Sequence, residues 1–268
     1  MTEPEMLEKV GTWLRKQGYP LEMRVARELR SAGMSADLGT YYTDIETGRS
    51  RETDVLATAN SKHAASLGIV QVCLAIKCKS GGKPWVLLSG NVEHELSPQV
   101  RGMSRLAAPE GDWLLKRTGL GLVATDNSFP LLSGYGPIGH SLVRPFGGDD
   151  SNGNREKDAA FAAMMSTAKA AIGVCHSLRE QMKFIGAPSN AVVLPVLLVD
   201  APLILFELDS SGEEKLSQID RGTVVWHYDF GPQQQSSIIT VVTPAALPAL
   251  AEDACSTAKL LHEQLFPG

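Results

Sequence analysis

The sequence lacks most of the motifs that assign a chain to a common functional class. Its four cysteines form no CxxC pair and its six histidines show no metal-ligand spacing, so a zinc module of the usual kind is excluded. No Walker A, GxGxxG or GxSxG motif occurs, which argues against the common nucleotide-binding sites and against a serine hydrolase. The four thiols are expected to be reduced.

Long hydrophobic runs are also missing. The longest apolar stretch, residues 191–198, contains a proline and is too short to cross a bilayer. The N-terminal residues are charged throughout and have no apolar segment of the kind found in a signal peptide. We therefore expect a cytoplasmic protein that does not associate with membranes.

An excess of positive charge is missing as well, because 25 Lys and Arg residues against 30 Asp and Glu residues give a net charge of -5. A nucleic-acid-binding domain is usually basic, so any such surface must be local or be made with metal ions. The hydrophobic content of 43% and the charged content of 21% are those of an ordinary globular chain. The length is compatible with a single domain over residues 1–268.

The first ninety residues have the clearest pattern of secondary structure. Apolar residues at helical spacing predict a helix over 4–17, and a second helix begins near Pro20 and ends at Gly33. The segments SADLGTYYTDI and SRETDVLATA flank the turn-like ETGR and predict a β-hairpin. The apolar segment LGIVQVCLAIKCKS predicts a third strand in the middle of a covered sheet, and KPWVLLSG predicts a short extension after it.

The rest of the chain divides into an insertion, a long helix and a β-rich tail. The glycine-rich part predicts an insertion with short helices near 93–106 and 110–117. An alanine- and methionine-rich stretch predicts a core-packing helix over 155–184 that is broken or bent at Gly173, and strands and an amphipathic helix follow it. The sequence thus predicts one α/β domain. Its predicted parts are a core of residues 20–90 plus 154–200, an insertion over 91–153, and a C-terminal β-plus-helix extension over 201–268.

Charged side chains in the predicted core fall on neighbouring elements. Glu52 and Asp54 share one face of the second strand, and Lys77 and Lys79 share one face of the third, because side chains alternate along a strand. Glu22 lies at the start of the second helix. If the two strands are neighbours, these groups meet at one edge of the sheet. Phosphodiester hydrolysis uses such a set, in which carboxylates hold Mg²⁺ and a lysine orients the attacking water.

This order of elements and residues resembles the PD-(D/E)XK nuclease superfamily, in particular its Holliday-junction-resolvase and Mrr-type members. The resemblance places the family's helix acid on Glu22, its hairpin aspartate on Asp54 within RETDVLA, and its lysine on Lys79 within LAIKCKSGGKPWV. It implies a restriction-endonuclease-like core, an α-β-β-β-α-β mixed sheet flanked by helices. It also implies an endonuclease that hydrolyses DNA with Mg²⁺ or Mn²⁺ held by Asp54 and Glu22, works as a homodimer, and serves DNA repair, restriction or defence.

The sequence departs from the family pattern at Lys77, where family members have Glu or Asp. An ammonium group cannot ligate Mg²⁺. Two unit charges about 4 Å apart interact by roughly 4 kcal/mol at an effective dielectric near 20, so a divalent ion is strongly disfavoured beside it. Three interpretations stay open: Glu52 supplies the missing carboxylate; the site is inactive and binds nucleic acid or a protein partner, with Lys77 and Lys79 gripping a phosphate; or Lys77 is an introduced change that inactivates a nuclease.

Each of these residues also has an ordinary structural interpretation. Asp54 could be a strand-end acid, and Lys79 could protect the edge of a sheet from unwanted pairing. Glu22 could be a first-turn acid that the helix dipole favours. Glu52 could pair with Arg49 or Arg51. Only a structure that brings Glu22, Asp54 and Lys79 together separates the functional interpretation from these.

Overall fold

A computed structural model of the chain describes residues 1–62, 69–90, 105–107, 129, 131–132, 136–145, 155–185, 189–230 and 233–266. Most of the predicted insertion over 91–153, including the predicted helix near 110–117, lies outside the described residues. The predicted helix near 93–106 is wrong at its end, because Arg105–Ala107 form a strand that pairs antiparallel with residues 191–193.

The described part of the chain contains four α-helices, one short 3-10 helix and twelve strands. The helices are α1 (Glu3–Gln17), α2 (Tyr19–Ser31), α3 (Arg155–Ile185) and α4 (Leu247–Leu265), and the 3-10 helix is Pro244–Ala246. The strands are β1 (Ser35–Thr43), β2 (Ser50–Lys62), β3 (Ile69–Ser80), β4 (Trp85–Leu88), β5 (Arg105–Ala107), β6 (Ile138–Gly139), β7 (Ser141–Val143), β8 (Ser189–Asp200), β9 (Leu203–Leu208), β10 (Glu214–Ile219), β11 (Arg221–Phe230) and β12 (Gln233–Val242). The predicted helices at the N-terminus, over 155–184 and at the C-terminus are confirmed, as is the hairpin of β1 and β2.

Glycine and proline set the boundaries of the first two helices. Gly18 ends α1 with a φ of 92°, a left-handed conformation that favours glycine, and Pro20 stands in the first turn of α2. Leu21, Val25, Ala26 and Leu29 form the buried face of α2. In contrast, α1 has no buried residue, although its apolar residues recur at helical spacing.

Eight strands form the main sheet, in the order β1-β2-β3-β8-β12-β11-β6, with β5 paired to β8. Strands β3 and β8 run parallel along their whole length, whereas β1 and β2, and β2 and β3, pair antiparallel. The fold is therefore α/β with a mixed sheet. Strand β3 lies inside this sheet and is covered on both faces, which explains its apolar sequence.

Helices cover both faces of the main sheet. One core cluster joins the sheet to α2 and α4 and includes Leu29, Ile76 and Leu250. On the other face, α3 packs against β1, β3 and β8, and its alanines and methionines are core residues, as predicted. The helix runs through Gly173 without a break, and a Cβ there would lie 2.1 Å from Cδ2 of Tyr42. The glycine thus permits close packing of a ring on the helix.

A second, four-stranded sheet has the order β10-β9-β4-β7. The segment KPWVLLSG, predicted as a short extension after the third strand, supplies β4 of this sheet. In the chain, β4 follows β3 and β9 follows β8. The pairs β3–β8 and β4–β9 are both parallel, and the first belongs to the main sheet and the second to the smaller sheet.

The segment after residue 200 also completes the main sheet. Strand β12 pairs parallel with β8, β11 pairs antiparallel with β12, and α4 covers the sheet. No helix in the described ranges has the length and apolar character needed to cross a membrane.

Candidate functional site

The candidate site lies where β2 and β3 stop pairing. The antiparallel ladder between these strands ends with Val55 opposite Ile76, and the next residues along each strand are Asp54 and Lys77. Because β3 and β8 are parallel, Ser80 and Asp200 at their carboxyl ends lie at the same edge of the sheet. The condition on which the sequence analysis depended, that β2 and β3 are neighbours, is met.

Asp54 and Lys77 form an ion pair that is largely withdrawn from solvent, with side chains 15% and 14% exposed respectively. Lys77 Nζ binds Asp54 Oδ1 and also donates to the backbone oxygen of Glu52 at 3.1 Å. The other carboxylate oxygen of Asp54, Oδ2, accepts the backbone N–H of Cys78 at 2.6 Å. Both oxygens of Asp54 are thus occupied by donors from β3.

Glu22 reaches this edge from the first turn of α2. Its Oε1 and the Ser80 Oγ both lie 3.9 Å from the place that a Cβ on Gly18 would take, so the start of α2 stands against the end of β3. Burial raises the pKa of Glu22 above its ordinary value, and the carboxylates of Asp54 and Glu52 add to this effect. Lys77 and Lys79 act in the opposite direction but do not cancel it.

Strand β3 presents Cys78 and the two lysines to opposite faces of the main sheet. Cys78 packs against the core under α2 and α4, whereas Cys73 and Ala75 face α3, so alternation directs Lys77 and Lys79 toward the α3 face. Burial, with the charges of Asp54 and Glu22, raises the pKa of the Cys78 thiol well above its usual range. Cys78 is therefore an unreactive thiol at neutral pH.

The second lysine of the predicted motif, Lys79, is half-buried at the end of β3. Its charge acts on both Glu22 and Cys78, which places it in the same electrostatic environment as Asp54. Lys79 makes no hydrogen bond or ion pair with any residue that the structure describes. Its ammonium is accordingly available to an anionic ligand.

Glu52, the predicted substitute carboxylate, is an exposed side chain beside β1. Its Oε1 lies 2.8 Å from the position of a Cβ on Gly39, whose φ of 63° favours glycine. The expected pairing of Glu52 with Arg51 is not found among the described residues, because the Arg51 guanidinium binds Asp44 instead. The negative charge of Glu52 therefore raises the pKa of Glu22, but Lys77 binds the backbone oxygen of Glu52 and not its carboxylate.

Arg144 extends the site beyond the residues that the sequence indicated. Its guanidinium lies 5.5 Å from the centroid of the Trp85 ring, and its Nη2 lies 2.7 Å from the position of a Cβ on Gly81. Its Nε is buried and has no hydrogen-bond partner within the described ranges. The only signal in the sequence was the Gly81-Gly82-Lys83 run after β3, and nothing linked this run to an arginine sixty residues away.

The residues at this edge do not fit a magnesium or manganese ion in the arrangement that the structure has. The Lys77 ammonium already binds Asp54, and an ammonium has no lone pair to offer a metal ion. In the described parts of the chain, no three His, Cys, Asp or Glu side chains are close enough together to hold a metal. A divalent cation would have to displace Lys77 from Asp54 before Asp54 and Glu22 could act as ligands.

Comparisons of this chain with protein-family models, with curated proteins and with solved structures found no match.

Proposed function

We propose that this chain is a restriction-endonuclease-like module that binds the DNA backbone without hydrolysing it, its metal site being closed by Lys77. The observation that carries the proposal is the ion pair of Lys77 with Asp54. A hydrolytic site of this type needs its aspartate free for a metal ion that activates water. Here the same aspartate is neutralised by a lysine of the adjacent strand and by a backbone N–H.

The energetics of the pair favour this closed state. A charge removed from water is costly unless a partner compensates it, and Lys77 and Asp54 compensate each other. A metal ion that entered would leave the ammonium without its carboxylate and would face its repulsion. The endonuclease interpretation, with Mg²⁺ or Mn²⁺ on Asp54 and Glu22, therefore requires the Lys77 side chain to leave Asp54.

Positive groups around the end of β3 support a phosphate ligand. Lys79 and Lys83 flank the Gly81-Gly82 turn in sequence, and the Arg144 guanidinium lies against Gly81. No atom lies within 4 Å of the place that a Cβ on Gly82 would take, so a phosphate can approach the backbone there. Contacts between Lys or Arg and phosphate supply most of the sequence-independent affinity for DNA. Because the net charge is -5, DNA binding has to use a local basic surface. The end of β3, with Lys79 and with Arg144 against the turn that follows it, is such a surface.

Binding is tested by fluorescence anisotropy with labelled duplex DNA at several salt concentrations. We expect binding that weakens as salt is added, and we expect Lys79→Ala and Arg144→Ala each to weaken it further. In a plot of log K against log salt concentration, the slope should become less negative by about one unit for each phosphate that the variant no longer neutralises. Lys259→Ala is the matched control, because Lys259 is an exposed lysine of α4 paired with Glu263. Equal effects of the three substitutions, or no binding by the unchanged protein, would overturn the nucleic-acid proposal in favour of a protein partner.

Hydrolysis is tested separately by plasmid cleavage with Mg²⁺ or Mn²⁺, using the unchanged chain and Lys77→Glu. We expect no cleavage by the unchanged chain. Cleavage by Lys77→Glu alone would support a nuclease scaffold that is closed at one position. Metal-dependent cleavage by the unchanged chain, abolished by Asp54→Ala, would overturn the non-hydrolytic proposal and establish an active endonuclease.

A further inference from the structure

Helix α1 carries an apolar face that the structure leaves in solvent. Met6, Val10 and Trp13 are 44%, 48% and 52% exposed, and Leu7 is also exposed. These residues recur at the spacing that places them on one face of a helix. The Tyr19 ring, 5.9 Å from the Trp13 ring between centroids, enlarges this surface. A face of this kind on an otherwise polar helix is typical of an interaction site.

The contacts of α1 within the chain do not account for this face. The main neighbour of α1 among the described elements is α2, and no residue of α1 is buried. An isolated helix of this length is only marginally stable in water. A partner that packed against the apolar face of α1 would bury that face and stabilise the helix.

The charges of α1 separate along its axis. The acidic residues Glu3, Glu5 and Glu8 occupy the first half, together with one lysine, Lys9, and the basic residues Arg15 and Lys16 occupy the last turn. Two such helices that pack antiparallel place the acidic half of each beside the basic half of the other. A parallel arrangement would place like charges together. The helix is therefore complementary to itself in one orientation.

We propose that α1 is a self-association surface, through which two copies of this chain pair antiparallel by their Met6, Val10 and Trp13 faces. Such a twofold contact uses the same surface on both copies, which is the arrangement of most homodimers. The apolar side chains supply the affinity, and the separated charges set the orientation. This inference goes beyond the proposed function, because it involves none of the residues around Asp54.

The apolar contact is tested by sedimentation velocity over a range of protein concentrations. We expect the unchanged chain to dimerise and Trp13→Glu to be monomeric or at least tenfold weaker. Thr12→Glu is the matched control, because Thr12 is exposed next to Trp13 but lies on the polar face, where its hydroxyl accepts from Arg15. A monomeric unchanged chain, or a dimer that Trp13→Glu leaves intact, would overturn the proposal.

The charge pattern is tested with two further variants and their mixture. We expect Glu3→Lys/Glu8→Lys and Arg15→Glu/Lys16→Glu each to self-associate less than the unchanged chain, since each makes α1 carry mainly one sign of charge. An equimolar mixture should form a heterodimer, and added salt should weaken it. Hydrogen exchange over residues 3–17 verifies that α1 stays helical in both variants. With the helix intact, failure of the mixture to associate contradicts antiparallel pairing.

Discussion

Two aspartates on the same hairpin, Asp44 and Asp54, are both neutralised by basic side chains but in different surroundings. Asp44 lies at the turn between β1 and β2, and Asp54 lies ten residues further along, where β2 parts from β3. Arg51, Lys169 and backbone N–H groups lower the pKa of Asp44, whereas burial and the carboxylates of Asp54 and Glu52 raise the pKa of Glu22 beside Asp54. Asp44 has a structural role in the hairpin turn, whereas Asp54 lies at the candidate site.

The Asp44 cluster, comprising Asp44, Glu46, Arg51 and Lys169, holds the hairpin turn against α3. Asp44 is 1% exposed; its Oδ2 accepts from Arg51 Nε at 2.6 Å and lies 3.8 Å from Lys169 Nζ. Its Oδ1 accepts the backbone N–H of Glu46 at 3.1 Å. Burial tends to raise the pKa of Asp44, but these donors outweigh burial and hold the pKa below its ordinary value.

The Asp54 cluster, comprising Glu22, Glu52, Asp54, Lys77 and Lys79, has a different balance. Burial and two neighbouring carboxylates raise the pKa of Glu22 even though two lysines lie nearby. An acid held in unfavourable surroundings at an edge of a sheet is typical of functional sites, whereas an acid satisfied on all sides is typical of structural ones. The raised pKa of Glu22 and the half-buried Lys79 at the end of β3 make the Asp54 cluster the candidate site, whereas the acids of the Asp44 cluster are bound by Arg51 and Lys169.

Removal of the Asp44 carboxylate should cause the largest loss of stability. We expect Asp44→Ala to reduce the free energy of unfolding by about 3 kcal/mol, because it leaves the Arg51 guanidinium and two backbone N–H groups without their acceptor and leaves Lys169 with Glu46 alone. Urea denaturation measures the effect. Asp37→Ala, at an exposed position of β1, should change stability by less than about 0.5 kcal/mol. A small effect of Asp44→Ala would contradict the structural role.

The same acid predicts a definite dependence on pH. Because the folded pKa of Asp44 is lowered, its contribution is present above the unfolded pKa, 3.8, and is lost as the pH falls through the folded pKa. The difference in unfolding free energy between the unchanged chain and Asp44→Asn should therefore be constant near neutrality and shrink below pH 3.8. A difference that shrinks already near neutral pH would contradict this account.

Breaking the Asp54 pair should cost less than breaking the Asp44 cluster. We expect Lys77→Met to reduce the free energy of unfolding by about 2 kcal/mol, since Asp54 keeps the Cys78 N–H and some solvent. The double variant Asp54→Leu/Lys77→Met should recover most of this loss, because it leaves no charge without a partner. Urea denaturation of Lys77→Met, Asp54→Leu and the double variant measures the coupling, and additive losses would show that the ion pair does not hold this edge.

Neutralising Glu22 should have the smallest effect and the opposite sign. Because its folded pKa is raised, ionised Glu22 costs stability at neutral pH, so Glu22→Gln should raise the free energy of unfolding slightly, by an amount that solvent screening keeps small. The gain should disappear as the pH falls from above the raised folded pKa to the ordinary value of 4.5. Thermal unfolding across pH measures it, and Glu28→Gln on the exposed side of α2 is the control. Equal responses of the two variants would contradict a special environment for Glu22.

Much of the local structure could be predicted from periodicity and turn residues. Alternation along β2 and β3 indicated which charged residues share a face, and the apolar third strand correctly indicated a covered sheet. That β2 and β3 pair, and so bring Asp54 and Lys77 together, was an open condition that the structure met. The second sheet could not be predicted, because KPWVLLSG is equally compatible with a continuation of the first block. Glycine is needed at 173 because the Tyr42 ring of β1 packs against α3 there. This contact joins residues distant in sequence, so no local pattern could predict it.

The sequence by itself determined the order of the elements over the first eighty residues, the long helix and the C-terminal helix, because helical spacing, alternation and turn residues are local properties. It also determined which charged residues β2, β3 and α2 carry. It left three interpretations of Lys77 open. Only the tertiary structure decided that Lys77 binds Asp54, that Arg51 binds Asp44 rather than Glu52, and that Arg144 joins the loop after β3. These pairings depend on strand register and on contacts between residues distant in sequence, which local patterns do not contain.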